Sequence, residues 1–498
     1  MSWWWQFVLL VVCTGGMSQE CMQEPAQVYK FTGAACRLTY PAAVVLNEKT
    51  TKVIEAAFQH AKYPTVKGEK DLLFGSKLVY TLENLNIFNL TIGQSAFDLR
   101  PGEGIYLNIT NVSVVFRGTL QYSYRGLISF GQSLDFEMES RVDLGINPKL
   151  YCSKGKVAAD TSDCFLKFQK LELLLQGDRE PNWLKKLFTN ILTFTLKVAV
   201  RGQICQEINK VANILADFIQ DTAANFLSDG DISVDIGVTG TPVITANYVE
   251  SYHKGFTKYK NTTTAIEESN FNPRHLTEHR MLYFWLSDQL FNSILSAAHE
   301  DGRFQLNISG SELTELFKTT PTEAIPGFMR ECITGSSVAG LRLKSESVFL
   351  NTSQGFGTTV WAGASGQLYC GGSPTPLMLF SPSVEVEVRA SYADKKLSLH
   401  YKPTKVSAYP DSVQLLEMTV EEYDKTVTFL TSAVEKIGLP LVISVLETEI
   451  TRLLDKQGTN LFDISNSEVI PQDGYVVIQM DFGFPHHLLV EFLRKTLV

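Results

Sequence analysis

The sequence predicts an α+β protein built mainly from antiparallel sheet, and three observations carry that prediction. Leu134 to Ile146 alternates Leu134, Phe136, Met138, Val142, Leu144 and Ile146 with Asp135, Glu137, Glu139, Arg141 and Asp143, one dry face and one wet face over a long strand. From Pro181 the period lengthens to that of a helix, through Trp183, Leu184, Leu187, Phe188, Ile191 and Leu192. Lastly, the order helix, sheet, long helix, strand occurs twice, without a residue-level repeat.

In chain order, an extended entry spans Leu38 to Leu46. Lys49 to Ala61 follows as a helix with Val53, Ile54, Ala57, Phe58 and Ala61 on one face, ended by Pro64 and Gly68. Ile105, Leu107 and Ile109 alternate, and the register then slips to Val112, Val114 and Phe116, which predicts a β-bulge near Asn111. Gly202 is expected to bend or interrupt the helix begun at Pro181, and Ile204, Ile208, Val211, Leu215 and Phe218 form a second stripe beyond it. A strand Ile232 to Val238 and a return strand Val243 to Val249 flank Gly240 and Pro242; the polar stretch Asn261 to His279 reads as a linker. Asp288 to Ala298 is helical, Val384, Val386 and Val388 mark a strand, and Glu421 to Lys456 holds two helices separated at Leu439-Pro440. Val476, Ile478, Met480, Phe482 and Phe484 alternate as the last strand, and Pro485 to Val498 places Leu488, Leu489, Phe492, Leu493 and Leu497 on one side of a helix. That helix is either docked on the core or facing lipid.

The 498 residues include 44 Lys plus Arg against 53 Asp plus Glu, a formal net charge of -9. No basic face is visible in the sequence, which argues against nucleic acid as a partner. With 44% hydrophobic and 19% charged residues the chain can bury a sizeable core. The apolar run Trp3 to Val12 is too short for a bilayer and suits a secretory signal over residues 1–18, cleaved between Gly16 and Glu20. No later run has the length of a membrane span, so a secreted, extracellular protein is expected. Removing Cys13 leaves Cys21, Cys36, Cys152, Cys164, Cys205, Cys332 and Cys370, an odd number, so at least one thiol is unpaired. Sequons at Asn89, Asn108, Asn111, Asn261, Asn307 and Asn351 are candidate glycosylation sites.

Catalytic chemistry has little support. The nearest approaches to G-x-S-x-G are Gly93-Gln94-Ser95-Ala96-Phe97 and Gly131-Gln132-Ser133-Leu134-Asp135; both lack the last Gly and lie among strands. His275 and His279 have i, i+4 spacing, but the Glu of a zinc-binding H-E-x-x-H is displaced. No phosphate-binding glycine loop is present, and neither a metal nor a cofactor is expected.

Five runs carry a resemblance: Gly202-Gln203-Ile204-Cys205, Leu227-Ser228-Asp229-Gly230-Asp231-Ile232, Pro242-Val243-Ile244-Thr245-Ala246, Arg280-Met281-Leu282-Tyr283-Phe284-Trp285, and Met480-Asp481-Phe482-Gly483-Phe484-Pro485. With these the chain resembles the bactericidal/permeability-increasing and lipopolysaccharide-binding family from about Cys36 to Val498, more loosely between Ser311 and Gly372.

The resemblance implies an elongated boomerang of two barrels, each a twisted antiparallel sheet around a long helix, joined by a central antiparallel sheet, with a C-terminal amphipathic helix. Its implied units are an N-terminal barrel over 19–205, a central sheet and linker over 206–280, a C-terminal barrel with the central-sheet return over 281–484, and the terminal helix over 485–498. The implied function is transfer without covalent chemistry. A monomer would exchange cholesteryl ester and triglyceride, with some phospholipid, between lipoprotein particles through an apolar tunnel. The alternatives are phospholipid transfer and lipopolysaccharide binding by the same fold; the acidic balance disfavours the latter, and the terminal helix marks the cholesteryl ester branch. By the same resemblance Cys164 and Cys205 form a disulfide. Gln220, Ser251 and His253 sit at a tunnel mouth near phospholipid headgroups, and Leu488, Leu489, Phe492, Leu493 and Leu497 gate neutral lipid. Thr222 stands where the family pattern has an Arg, which removes a headgroup salt bridge.

Overall fold

The computed structural model describes residues 21, 29–45, 47, 51, 55, 63–72, 76–125, 130–175, 182–226, 228, 230–272, 279–308, 313, 318–334, 340–354, 357–369, 375–393, 396–411, 418–454 and 463–483. Residues 485–498, His275, Cys370 and most of Lys49 to Ala61 lie outside this set, although Thr51 and Glu55 are helical.

The fold is α+β, with two large antiparallel sheets and a six-stranded central sheet drawing strands from both halves of the chain. The first large sheet orders Val66–Asp71, Lys77–Thr91, Gly104–Arg125, Phe130–Ile146 and Cys164–Leu175, with Gln94–Arg100 also paired to Gly104–Arg125. The alternation read at Leu134 to Ile146 is physical: Leu134, Phe136, Met138, Val142, Leu144 and Ile146 are all buried. Its partner strand runs 22 residues and shifts register between Ile109 and Val112, where the bulge is expected. Asn111 holds it with φ of 57°, a conformation Asn tolerates, and its N–H donates to Asp143 Oδ1 at 3.1 Å.

One helix of 45 residues, Asn182–Phe226, packs against this sheet. Phe188, Ile191, Leu192, Val200, Ile204 and Ile208 enter the same core as the strand residues. Gly202 does not interrupt it: the glycine is exposed, and the helix continues between buried residues on both sides. The unit boundary expected at 205/206 therefore falls inside a continuous helix. A ladder on its far half grips the chain between residues 156 and 164. Cys205 is bonded to Cys164, Asn209 Oδ1 accepts from Thr161 N, Asn213 Oδ1 accepts from Ala159 N while its Nδ2 donates to Ala159 O, and Asp217 pairs with Lys156. Spacing of four residues puts all four rungs on one helix face. A second disulfide joins Cys21 to Cys152, and Cys36 is a free thiol.

The second large sheet orders Gln305–Ile308, Gly340–Ser353, Gly357–Tyr369, Met378–Ala393 and Lys396–Pro410. It packs against Val420–Ala433, Val434–Gly438 and Leu439–Leu454, whose Phe429, Leu430, Ala433, Val434, Leu439 and Ile443 are buried. The separation expected at Leu439-Pro440 is a single π turn, with Leu439 N–H reaching back to Val434 O. Proline lacks the N–H a regular helix would use, and the wider turn absorbs the defect without ending the helix.

Three other expectations are revised. The extended entry Leu38 to Leu46 is a strand only to Thr39; Tyr40 to Val45 is helical, with Pro41 in the first turn, where its missing N–H costs nothing. Ile232–Asp235 pairs with Phe256–Tyr259 rather than with a return strand at 243–249. Asp235 Oδ1 accepts from Gly237 N at 2.9 Å, a local turn that ends the strand early. The stretch read as a linker, Asn261 to His279, contributes the strand Thr262–Thr264 and buries Ile266 and Phe271. Ser269 Oγ donates to Thr32 O, and Phe31 N donates to Glu267 O, so its polar residues serve as backbone partners.

Candidate functional site

The central sheet orders Val243–Ile244, Tyr248–His253, Ala34–Thr39, Leu282–Ser287, Tyr475–Gly483 and Asp463–Gln472, all antiparallel. Because side chains alternate across a strand, the register fixes what each face carries. On one face Ala35, Arg37, Glu250, Tyr252, Tyr283, Trp285, Tyr475 and Val477 are buried. On the other, Val249, Leu38, Leu282 and Met480 lie side by side in one row, and Ser251, Cys36, Phe284 and Ile478 in the next. All eight are half-buried, and the six apolar ones belong to none of the core clusters among the described residues. The next row, His253, Ala34, Leu286 and Val476, borders a small core of Val234, Ile266 and Leu290 that closes this edge. The result is a floor of apolar side chains bordered on one side by Ser251 and His253, on a sheet whose opposite face is packed.

The packed face supports the floor from behind. Arg37 Nη2 lies 2.6 Å from Glu250 Oε2, and its Nε donates to the same oxygen at 2.7 Å. The guanidinium stacks 3.8 Å over the Tyr248 ring, and the Tyr252 hydroxyl donates to Glu250 Oε1. Burial pushes the Tyr29 hydroxyl up to about 12, with Glu250 adding to the shift, and pushes Tyr252 up as well. A buried ion pair with its remaining oxygen hydrogen-bonded specifies one register between Ala34–Thr39 and Tyr248–His253, since a one-residue slip of either strand would turn its charge onto the apolar floor and leave the other buried without its partner.

Ser251 and His253 form the polar margin. Ser251 Oγ is 2.9 Å from His253 Nε2, and His253 Nδ1 is 2.8 Å from Ile236 O. A carbonyl only accepts, so Nδ1 carries the proton and Nε2 accepts from the serine hydroxyl. Burial lowers the His253 pKa below its ordinary value, and the bond to Ile236 O offsets only part of this. The imidazole is neutral at physiological pH, and its two nitrogens are already committed; what faces a ligand is the serine oxygen's remaining acceptor capacity. Cys36, directly opposite Ser251, is held as a neutral thiol: burial first, and then the Glu250 charge, pushes its pKa up to about 12. That removes it as a nucleophile, and the Ser–His pair lacks a third orienting carboxylate among the described residues, its Nδ1 being spent on a backbone carbonyl.

The structure places Ser251 and His253 side by side at the edge of an apolar surface. Gln220 lies in the last two turns of the long helix, its side chain outside the described set. Leu488, Leu489, Phe492, Leu493 and Leu497 lie outside the described residues. Asn89, Asn111, Asn261, Asn307 and Asn351 are exposed and Asn108 is half-buried. Sequence reasoning missed Arg37 and Glu250, separated by 213 positions; the available signal was a lone charge at a buried-phase position in each of two short apolar runs.

The LBP / BPI / CETP family matches in its N-terminal domain over residues 45–218 and in its C-terminal domain over 227–333. The chain is 42% identical over 492 residues to cholesteryl ester transfer protein of Homo sapiens, covering 97% of this chain and 96% of that protein. It is 40% identical over 479 residues to cholesteryl ester transfer protein of Gallus gallus, covering 94% of each. Similarity to the lipopolysaccharide-binding protein of Homo sapiens is 22% over 280 residues, 56% of this chain and 57% of that one. In fold, a crystal structure of lipopolysaccharide binding protein superposes with a TM-score of 0.50 at 15% identity, covering 91% of this chain and 99% of that one. Identity at this level along nearly the whole length, with both domains matched, establishes that the chain belongs to the LBP / BPI / CETP family.

Proposed function

We propose that the protein is a secreted lipid transfer protein that exchanges cholesteryl ester and triglyceride, with some phospholipid, between lipoprotein particles. The observation that carries this reading is the half-buried floor formed by Leu38, Val249, Leu282, Phe284, Ile478 and Met480, bordered by the single polar pair Ser251–His253. A sterol ester presents a long apolar body and one ester group. Burying that body is favourable by roughly 25 cal/mol per Å² of apolar surface, with no need for a charge or a nucleophile. The near full-length likeness to proteins named for cholesteryl ester transfer favours neutral ester over lipopolysaccharide as cargo.

In this reading the ester lies on the floor and a phospholipid headgroup meets Ser251 at the margin, with Gln220 beside it. Residues 485–498 gate the opening through Leu488, Leu489, Phe492, Leu493 and Leu497. The chain acts as a monomer, and the disulfides and exposed sequons suit an oxidising, extracellular setting. In this reading the chain divides into an N-terminal sheet and helix, a shared central sheet, and a C-terminal sheet and helix. The test is a transfer assay with labelled cholesteryl ester, triglyceride and phospholipid run in parallel between donor and acceptor particles. Movement of neutral ester at a rate well above the protein-free exchange is expected; movement of phospholipid alone would replace this reading with phospholipid transfer.

A further inference from the structure

The first half of the long helix reverses the sign of the chain. From Asn182 to Gln206 it carries Lys185, Lys186, Lys197 and Arg201 and no Asp or Glu, in a protein whose net charge is -9. Lys186, Asn190, Phe194, Lys197, Val198 and Arg201 are all exposed. At 3.6 residues per turn they share one arc of about 120° and run about 22 Å along the axis. Phe194 is 70% and Val198 61% exposed, against full burial of Phe188, Leu192 and Val200 on the inner side of the same helix. Lys186, Lys197 and Arg201 have no ion-pair or hydrogen-bond partner among the described residues. The basic face that the overall composition hides is therefore real, local and interleaved with an aromatic ring.

We infer that this face docks on an anionic phospholipid surface, with Phe194 and Val198 entering the headgroup–acyl boundary and Lys186, Lys197 and Arg201 reaching phosphates beside them. The charge complementarity selects the occupant. A cationic rim around exposed apolar side chains matches a lipid interface, where long basic side chains cover apolar surface and keep their charge among phosphates. An acidic peptide would leave Phe194 and Val198 unmatched, and a nucleic acid would leave Val198 unmatched. With so few apolar anchors the attachment is reversible, as repeated loading and unloading of cargo requires. The inference deepens the transfer reading, on which its biological sense rests, by naming the surface presented to the particle.

The test is flotation of the full chain with vesicles of phosphatidylcholine, with and without phosphatidylglycerol, at low and high salt. The wild-type chain is expected to favour the anionic vesicles and to lose that preference at high salt. Phe194→Ser with Val198→Ser is expected to weaken partition on both vesicle types by at least about tenfold, and Lys197→Glu with Arg201→Glu to abolish the anionic preference. All four positions are exposed, so unchanged thermal melts are expected and confirm that the variants are folded. Wild-type partition indifferent to phosphatidylglycerol, or folded variants that partition like wild type, would overturn the inference. Partition is read without transfer: a chain that binds these vesicles by this face and moves no ester refutes the transfer reading alone, and a chain that moves ester while both variants bind unchanged refutes this one alone.

Discussion

Arg37→Ala tests the coupling between the two faces of the central sheet. Arg37 is 4% exposed and Glu250 5%, so removing the guanidinium leaves a carboxylate buried with the Tyr252 hydroxyl as its remaining donor among the described residues. Breaking a buried pair from one side costs about 3–5 kcal/mol, because the surviving charge keeps its desolvation penalty. Loss of the stack on Tyr248 and the contact 5.1 Å over Trp285 adds to this. The double variant Arg37→Met with Glu250→Leu removes both charges and is expected to recover most of the loss. Urea unfolding of the three proteins measures the difference, and parallel extraction of bound lipid reads the floor, since Cys36 and Leu38 belong to the same strand as Arg37. A single variant within about 1 kcal/mol of wild type, the ceiling for an exposed pair, would refute the reasoning; so would a double variant no better than the single.

Further outcomes follow from the site and its supports. Because the folded-state pKa of His253 is lowered, the unfolded chain binds a proton first as pH falls; the associated stability is complete above the ordinary histidine value of about 6.5 and declines below it, and His253→Gln should flatten that decline in melts taken between neutral and mildly acid pH. Reducing Cys164–Cys205, whose loop spans 41 positions, should cost about 4 kcal/mol in the chain-entropy description, and non-reducing peptide mapping should recover the two cysteines linked. Gln220→Ala combined with His253→Ala should lower bound phospholipid and its transfer rate, whereas unchanged values would remove these residues from the headgroup site. Deleting Leu488 to Val498 should leave secretion and melting intact while cholesteryl ester transfer falls more than phospholipid transfer; a chain that unfolds instead has lost a structural plug.

What the sequence made legible followed from periodicity. The alternation of Leu134 to Ile146, the bulge beside Asn111 and the apolar stripe of Phe188, Ile191 and Leu192 are local patterns, and local patterns survive into the fold because each residue's burial is decided by its own element. The pairing within the central sheet was hidden because its strands are drawn from distant segments and several of them are short. Ala34 to Thr39 and Tyr248 to His253 read alone as unremarkable runs, and only their pairing shows that Arg37 meets Glu250 and that Cys36 meets Ser251. The polar stretch from Asn261 was misread for a related reason: Ile266 and Phe271 are isolated apolar residues whose burial is supplied by other parts of the chain. Ser251 and His253 came from family resemblance rather than spacing; the tautomer and the commitment of both ring nitrogens required the Ile236 carbonyl.

Photocrosslinking with a cholesteryl ester that carries a diazirine in its acyl chain tests the central claim most directly. The full chain would be loaded from donor particles, irradiated and mapped by peptide. Adducts concentrated on Ala34–Thr39, Leu282–Ser287 and Tyr475–Gly483, and displaced by excess unlabelled ester, are the predicted result. Adducts confined to other segments in a chain that is actively transferring ester would contradict it.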